Sequence, residues 1–136
     1  VNITLNRVLL YVQDVDRLAA FYRDAFGLPV VEEIPGEWVV LAAGATQLAL
    51  HLAGPAHRRP GATATASNAK LVFTVDRDLT ELRAELVERG VAMREIKAFP
   101  PLTGPLCDGL DPEGNVFQLA EVNGSVTPSG GSQSEP

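Results

Sequence analysis

An α+β fold made of two tandem βαβββ modules is predicted by three observations. The strand-like run Arg7-Val8-Leu9-Leu10-Tyr11-Val12 recurs as Lys70-Leu71-Val72-Phe73-Thr74-Val75, an amphipathic stretch follows each run, and each stretch stops at a glycine, Gly27 and then Gly90. Strand and stop signal are displaced by the same 63 residues. Self-similarity at a long fixed period marks supersecondary units that must bury their apolar faces on each other or on a partner chain. Two such units facing one another would form a cleft. With 136 residues, 46% of them hydrophobic, the chain suits one domain with a real core and is too short for two independent ones.

Residues 5–13 read as a strand, with Val8, Leu10 and Val12 on one face and Arg7, Leu9, Tyr11 and Gln13 on the other, a candidate cleft lining. Asp14 or Asp16 caps a helix running to about Phe26, with Leu18, Phe21, Tyr22 and Ala25 on its buried stripe, and Gly27 then Pro29 end it. Short strands are predicted around 30–33, 38–42 and 47–52, separated by the turn signals Pro35-Gly36 and Ala43-Gly44. Residues 54–69, small, polar and rich in Gly and Pro, are predicted to link module one (3–53) to module two (70–122). In module two the pattern gives a strand over 70–75, a helix over 79–89 with Leu79, Leu82, Leu86 and Val87 as its stripe, and strands over 91–96, 106–110 and 116–122. Asp111-Pro112-Glu113-Gly114-Asn115 turns into the last strand. Residues 123–136 have no core-forming pattern and are expected to be disordered, outside the single domain of 1–122.

Composition narrows the function classes. A net charge of −6 argues against nucleic-acid binding, which needs a basic stripe for the phosphates, and the only basic cluster is His57-Arg58-Arg59. No run approaches the roughly 20 apolar residues that span a bilayer, and Val1-Asn2-Ile3-Thr4 lacks the basic and apolar regions of a secretion signal. The expectation is a soluble, cytoplasmic protein. A single cysteine, Cys107, excludes an intrachain disulfide framework.

The duplicated strand-helix-three-strand module, with Phe21-Tyr22-Arg23-Asp24-Ala25-Phe26-Gly27-Leu28 closing the first helix and Asp111-Pro112-Glu113-Gly114-Asn115 before the last strand, resembles the vicinal oxygen chelate superfamily. That group includes glyoxalase I, extradiol dioxygenases, fosfomycin resistance enzymes and bleomycin resistance proteins. The resemblance covers about residues 5–122. It implies a glyoxalase-like fold: eight strands forming open curled sheets, helices outside, and often a homodimer with the cleft formed partly between chains. A fold of this kind hosts many chemistries, so function must come from the residues.

Metal-dependent members carry His, Glu or Gln on the inward faces of the first and last strand of each module. Carried onto this sequence, the resemblance puts Arg7, Ala49, Lys70 and Gln118 at those positions. Arg and protonated Lys have no lone pair to donate and repel a cation, Ala offers no ligand, and one neutral Gln does not hold a metal alone. The expectation is that the superfamily's metal site is absent and no cofactor is needed. His51 shares the inward face of Ala49 and is either a ligand or a hydrogen-bonded wall residue. Glu121, an odd step from Gln118, is expected on the opposite face, near the rim or paired with a basic residue. His57 and Cys107 reach a site only through an unusual chain path.

The inward faces then read Arg7, Leu9 and Tyr11; Gln47, Ala49 and His51; Lys70, Val72 and Thr74; and Val116, Gln118 and Ala120. An apolar floor with a few polar groups is the usual makeup of a small-molecule pocket. Arg7 and Lys70, at corresponding strand positions, want an anionic ligand or a carboxylate partner. Trp38 and Phe99 are candidates for stacking on a flat ligand, Trp38 alternatively serving core or dimer interface. The loop 98–105, with three prolines, is a candidate stiff flap. The leading reading is a metal-independent, homodimeric protein that binds a small organic molecule, as the bleomycin-resistance branch suggests, with sequestration of an antibiotic or metabolite as its role. The alternatives are a glyoxalase- or dioxygenase-type enzyme with a metal on His51, Gln118 and Glu121, and a metal-free isomerase or lyase using His51 and Tyr11.

Overall fold

The computed structural model describes residues 2–59, 67–98 and 104–122. They fall into two compact units: one holds the described residues up to 59 together with the turn Pro112–Gly114, and the other holds the rest. The predicted tail, 123–136, lies outside the described residues.

In the first unit the order is β1 (Arg7–Val12), α1 (Val15–Phe26), β2 (Val30–Ile34), β3 (Trp38–Ala43) and β4 (Thr46–Leu52). The strands form one mixed sheet in the order β1-β4-β3-β2, with β1 parallel to β4 and the other pairs antiparallel. In the second unit β5 (Leu71–Val75), α2 (Leu79–Glu88), β6 (Ala92–Met93), β7 (Leu106–Leu110) and β8 (Val116–Glu121) repeat the scheme as β5-β8-β7-β6. The predicted βαβββ order therefore occurs twice.

Local chemistry sets the helix ends. Asp14, in extended backbone, accepts the Arg17 N–H at 3.0 Å, and Gly27, at φ 70°, closes α1 by donating its N–H to the Tyr22 carbonyl. Val15, Leu18, Ala19 and Tyr22 are buried, while Phe21 and Ala25 of the predicted stripe are half-buried. They pack on β3 and β4, whose Val39, Leu41, Leu48 and Leu50 are buried too. Each such aliphatic side chain contributes roughly 1.5–3 kcal/mol on burial. The cap of α2 is Asp78, which accepts the Glu81 N–H at 3.1 Å. Leu79 and Leu86 are buried, but Val87 is 48% exposed, contrary to the predicted stripe. At 3.6 residues per turn it lies about 100° round the helix from Leu86, off the apolar face.

Three further expectations need correction. The first strand is shorter than 5–13: Gln13 leaves the ladder, and its N–H donates instead to both oxygens of the buried Glu113 carboxylate at 2.9 Å. The strand expected over 91–96 pairs only through Ala92 and Met93. Met93 opposes Gly109, yet Lys97 opposes Leu106, so one extra residue interrupts the β6 side as a bulge. Glu121 has no basic partner among the described residues; its Oε1 accepts the Leu79 N–H at 2.9 Å, at the start of α2. Within the predicted linker, Pro55–His57 form a 3-10 turn, and the Gln13 amide donates to the His57 carbonyl at 3.0 Å.

Candidate functional site

Among the described residues each unit presents one sheet face without a helix on it, and strand register decides which side chains share it. In the first unit the rows are Tyr11, His51 and Trp38; Leu9, Ala49 and Val40; and Arg7, Gln47 and Ala42. The candidate residues predicted from module one thus stand on one face. Ala49 and Val40 form a fully buried floor, whereas Tyr11 is 70% exposed.

The rings meet edge-on. Tyr11 and His51 have centroids 5.3 Å apart at 87°, and Trp38 and His51 have centroids 5.6 Å apart at 75°. Trp38 Nε1 donates to Glu32 Oε2 at 2.8 Å, which fixes the indole. Arg7 donates from Nε and Nη2 to Gln47 Oε1 at 3.0 and 2.8 Å, and its Cζ lies 5.5 Å from the Trp38 ring centroid. Its hydrogen-bond partner among the described residues is therefore an amide rather than a carboxylate. His51 Nδ1 is buried and has no hydrogen-bond partner among the described residues. A buried polar group left unmet costs about 1–3 kcal/mol.

In the second unit the face carries Val72, Gln118 and Asp108 in one row and Thr74, Ala120 and Leu106 in the next. Lys70 finds its carboxylate inside the protein: its Nζ lies 3.0 Å from Asp108 Oδ2, and Gln118 Nε2 donates to Asp108 Oδ1 at 3.0 Å. Burial raises the Asp108 pKa, but the hydrogen bonds from Gln118 and Lys70, with the charge of Arg94, outweigh it and hold the carboxyl below its ordinary range. A cavity of about 230 Å³ opens on this face.

The residues at the positions to which the resemblance carries the metal ligands do not fit a divalent cation. Arg7 and Lys70 are cations with partners of their own, Ala49 has no donor, and the Gln118 amide serves Asp108. The other routes do not converge either. Glu121 accepts the Leu79 N–H, and His57 is exposed. Cys107 is buried with its Sγ 3.1 Å from the Arg94 carbonyl, and burial pushes its thiol pKa up. Among the described residues no three His, Cys, Asp or Glu side chains gather as a metal-binding group. No helix among them is long and apolar enough to cross a membrane.

Phe99 and the loop centre at 99–103 lie outside the described residues. Sequence reading did not single out Glu32, Asp108, Arg94 or Lys97. Asp108 was accessible in principle, since it stands opposite Gln118 on β7. Glu32 was not, because a register shift between Val30 and Glu32 alters the β2 alternation.

The sequence matches the family model described as the Glyoxalase/Bleomycin resistance protein/Dioxygenase superfamily over residues 4–119. Among solved structures, lactoylglutathione lyase from Agrobacterium tumefaciens is 23% identical, with a TM-score of 0.68, covering 87% of this chain and 92% of its own. An antibiotic-binding protein from Streptomyces sp. CB03234 is 25% identical, with a TM-score of 0.69 and coverage of 90% and 98%. An integron cassette protein from the mobile metagenome of V. cholerae is 21% identical, with a TM-score of 0.69 and the same 90% and 98%. No curated protein matches the chain. These likenesses are likenesses of fold.

Proposed function

The chain belongs to the glyoxalase/bleomycin resistance protein/dioxygenase superfamily, and from that membership we propose that it is a metal-independent protein that binds and sequesters a planar organic molecule, an antibiotic or a metabolite. The observation that carries this reading is the aromatic face of the first unit, where Tyr11 and Trp38 flank a buried histidine nitrogen without a partner. A flat ligand laid against Tyr11 and Trp38 removes apolar ring surface from water, the largest favourable term available there. The His51 ring, edge-on to both, spaces the two aromatic side chains. Arg7, against the indole ring, and Glu32, which accepts from its Nε1, select the ligand's polar edge. The antibiotic-binding relative supports the reading. The donor set argues against the metal-dependent lyase or dioxygenase alternative.

A second reading has one observation in its favour. An unpartnered imidazole nitrogen beside a tyrosine ring suits proton transfer, so a metal-free isomerase or lyase reaction at His51 and Tyr11 is the competing chemistry. Calorimetric titration of chelator-treated protein with a panel of planar aromatic antibiotics separates the two. Sequestration gives one-to-one binding, ligand recovered unchanged, about tenfold weaker binding in Tyr11→Ala, and binding that survives in His51→Ala. Chemical conversion of the ligand that vanishes in His51→Ala overturns sequestration in favour of catalysis.

A further inference from the structure

The cavity on the second unit's sheet face has an unusual charge arrangement. Of its acidic groups, Asp108 is engaged by Lys70 and Gln118, and the 88% exposed Glu95 side chain pairs with Arg83 at 3.4 Å. Arg94 and Lys97 also line it, and neither makes a side-chain ion pair or hydrogen bond among the described residues. The neighbouring stretch 99–103 contains no acidic residue. Arg94 is within electrostatic reach of Asp108, but among the described residues neither cation is tied by an ion pair beside the cavity.

The backbone explains how both come to the same side. Residues three apart on a regular strand point to opposite faces. The extra residue between Met93 and Lys97 reverses that alternation, so Arg94 and Lys97 line one cavity. The bulge is held in place: the Arg94 carbonyl accepts from Arg83 Nε at 2.8 Å and from Cys107 Sγ at 3.1 Å, and the Arg94 N–H donates to the Asp108 carbonyl at 2.8 Å. Bulges of this kind re-aim side chains beside functional sites. The main chain is fixed, and neither charged head is held by an ion pair or hydrogen bond among the described residues.

We propose that the second unit contains an anion site, in which a carboxylate or phosphate group of a small molecule docks between Arg94 and Lys97. The Arg94 guanidinium offers a planar fork for two oxygens, and Lys97 adds a mobile point charge. Lys70 and Gln118 hold Asp108 back from repelling the guest. A volume of about 230 Å³ admits a small oxyanion and a few attached atoms, below the roughly 300–1,000 Å³ of pockets for drug-sized ligands. This site does not depend on the aromatic face of the first unit.

The test is calorimetric titration of the full chain with inorganic phosphate and, separately, citrate at low ionic strength. Saturable binding of either anion is expected, weakening with added salt. Arg94→Gln weakens it about tenfold, Arg94→Lys restores part of the loss, and Lys97→Gln gives an independent variant should the first not fold. Arg89→Gln, an exposed charge outside the cavity, leaves binding unchanged. Failure of the wild-type protein to bind either anion saturably, or wild-type affinity in a folded Arg94→Gln/Lys97→Gln double variant, overturns the proposal.

Discussion

A Cβ placed on Gly109 stands 2.4 Å from Phe117 Cζ and 2.6 Å from Met93 Sδ. The thioether end is flexible enough to move, but the Phe117 ring is fully buried and has nowhere to go. Gly109→Ala is therefore expected to destabilise the protein by about 1–3 kcal/mol, read as a lower urea midpoint with an unchanged slope. An unchanged midpoint would mean that the packing on β7 is looser than this. A glycine two positions after Cys107 gave no hint of this role in the sequence, because the constraint comes from the ring across the ladder. Tyr11 and His51 were easier to place. Strict alternation along two apolar strands put them on one face, and parallel pairing then set them opposite each other.

Helix α1 depends on a partner a hundred residues away in sequence. Glu113, 5% exposed, accepts the N–H groups of Gln13 at 2.9 Å and Asp14 at 2.8 Å just before the helix begins. Glu113→Ala leaves these donors unmet, at about 1–3 kcal/mol each. A lowered thermal midpoint is expected, together with faster amide exchange at Gln13 and Asp14. Normal protection of these amides in the variant would show that the carboxylate is dispensable. The helices themselves were legible, since Asp14 and Gly27 bracket an apolar stripe of the right period. The Glu113 contact was not, because local patterns say nothing about which distant acid meets a helix start. The same limit applies to β6, where residues 91–96 have the composition of a strand but one surplus residue breaks the pairing.

The whole chain shows how far a duplicated pattern reaches. Two copies of a strand and a glycine stop, together with a turn motif, led to the superfamily, and the match over residues 4–119 bears that out. What they did not indicate is that the two copies have diverged in chemistry. The first unit carries an aromatic face around His51, and the second carries a charged one around Asp108. At the positions to which the resemblance carries the superfamily's metal ligands stand Arg7, Ala49, Lys70 and Gln118, and the proposed loss of the metal rests on the chemistry of these four side chains. Trp38, the sole tryptophan, lies on the proposed binding face and reports on it without any label. The decisive measurement is titration of its fluorescence with planar aromatic antibiotics, with and without a strong chelator. Saturable quenching with the same dissociation constant in both conditions is the expected result; quenching abolished by the chelator, or no saturation across the panel, would contradict metal-independent binding at this face.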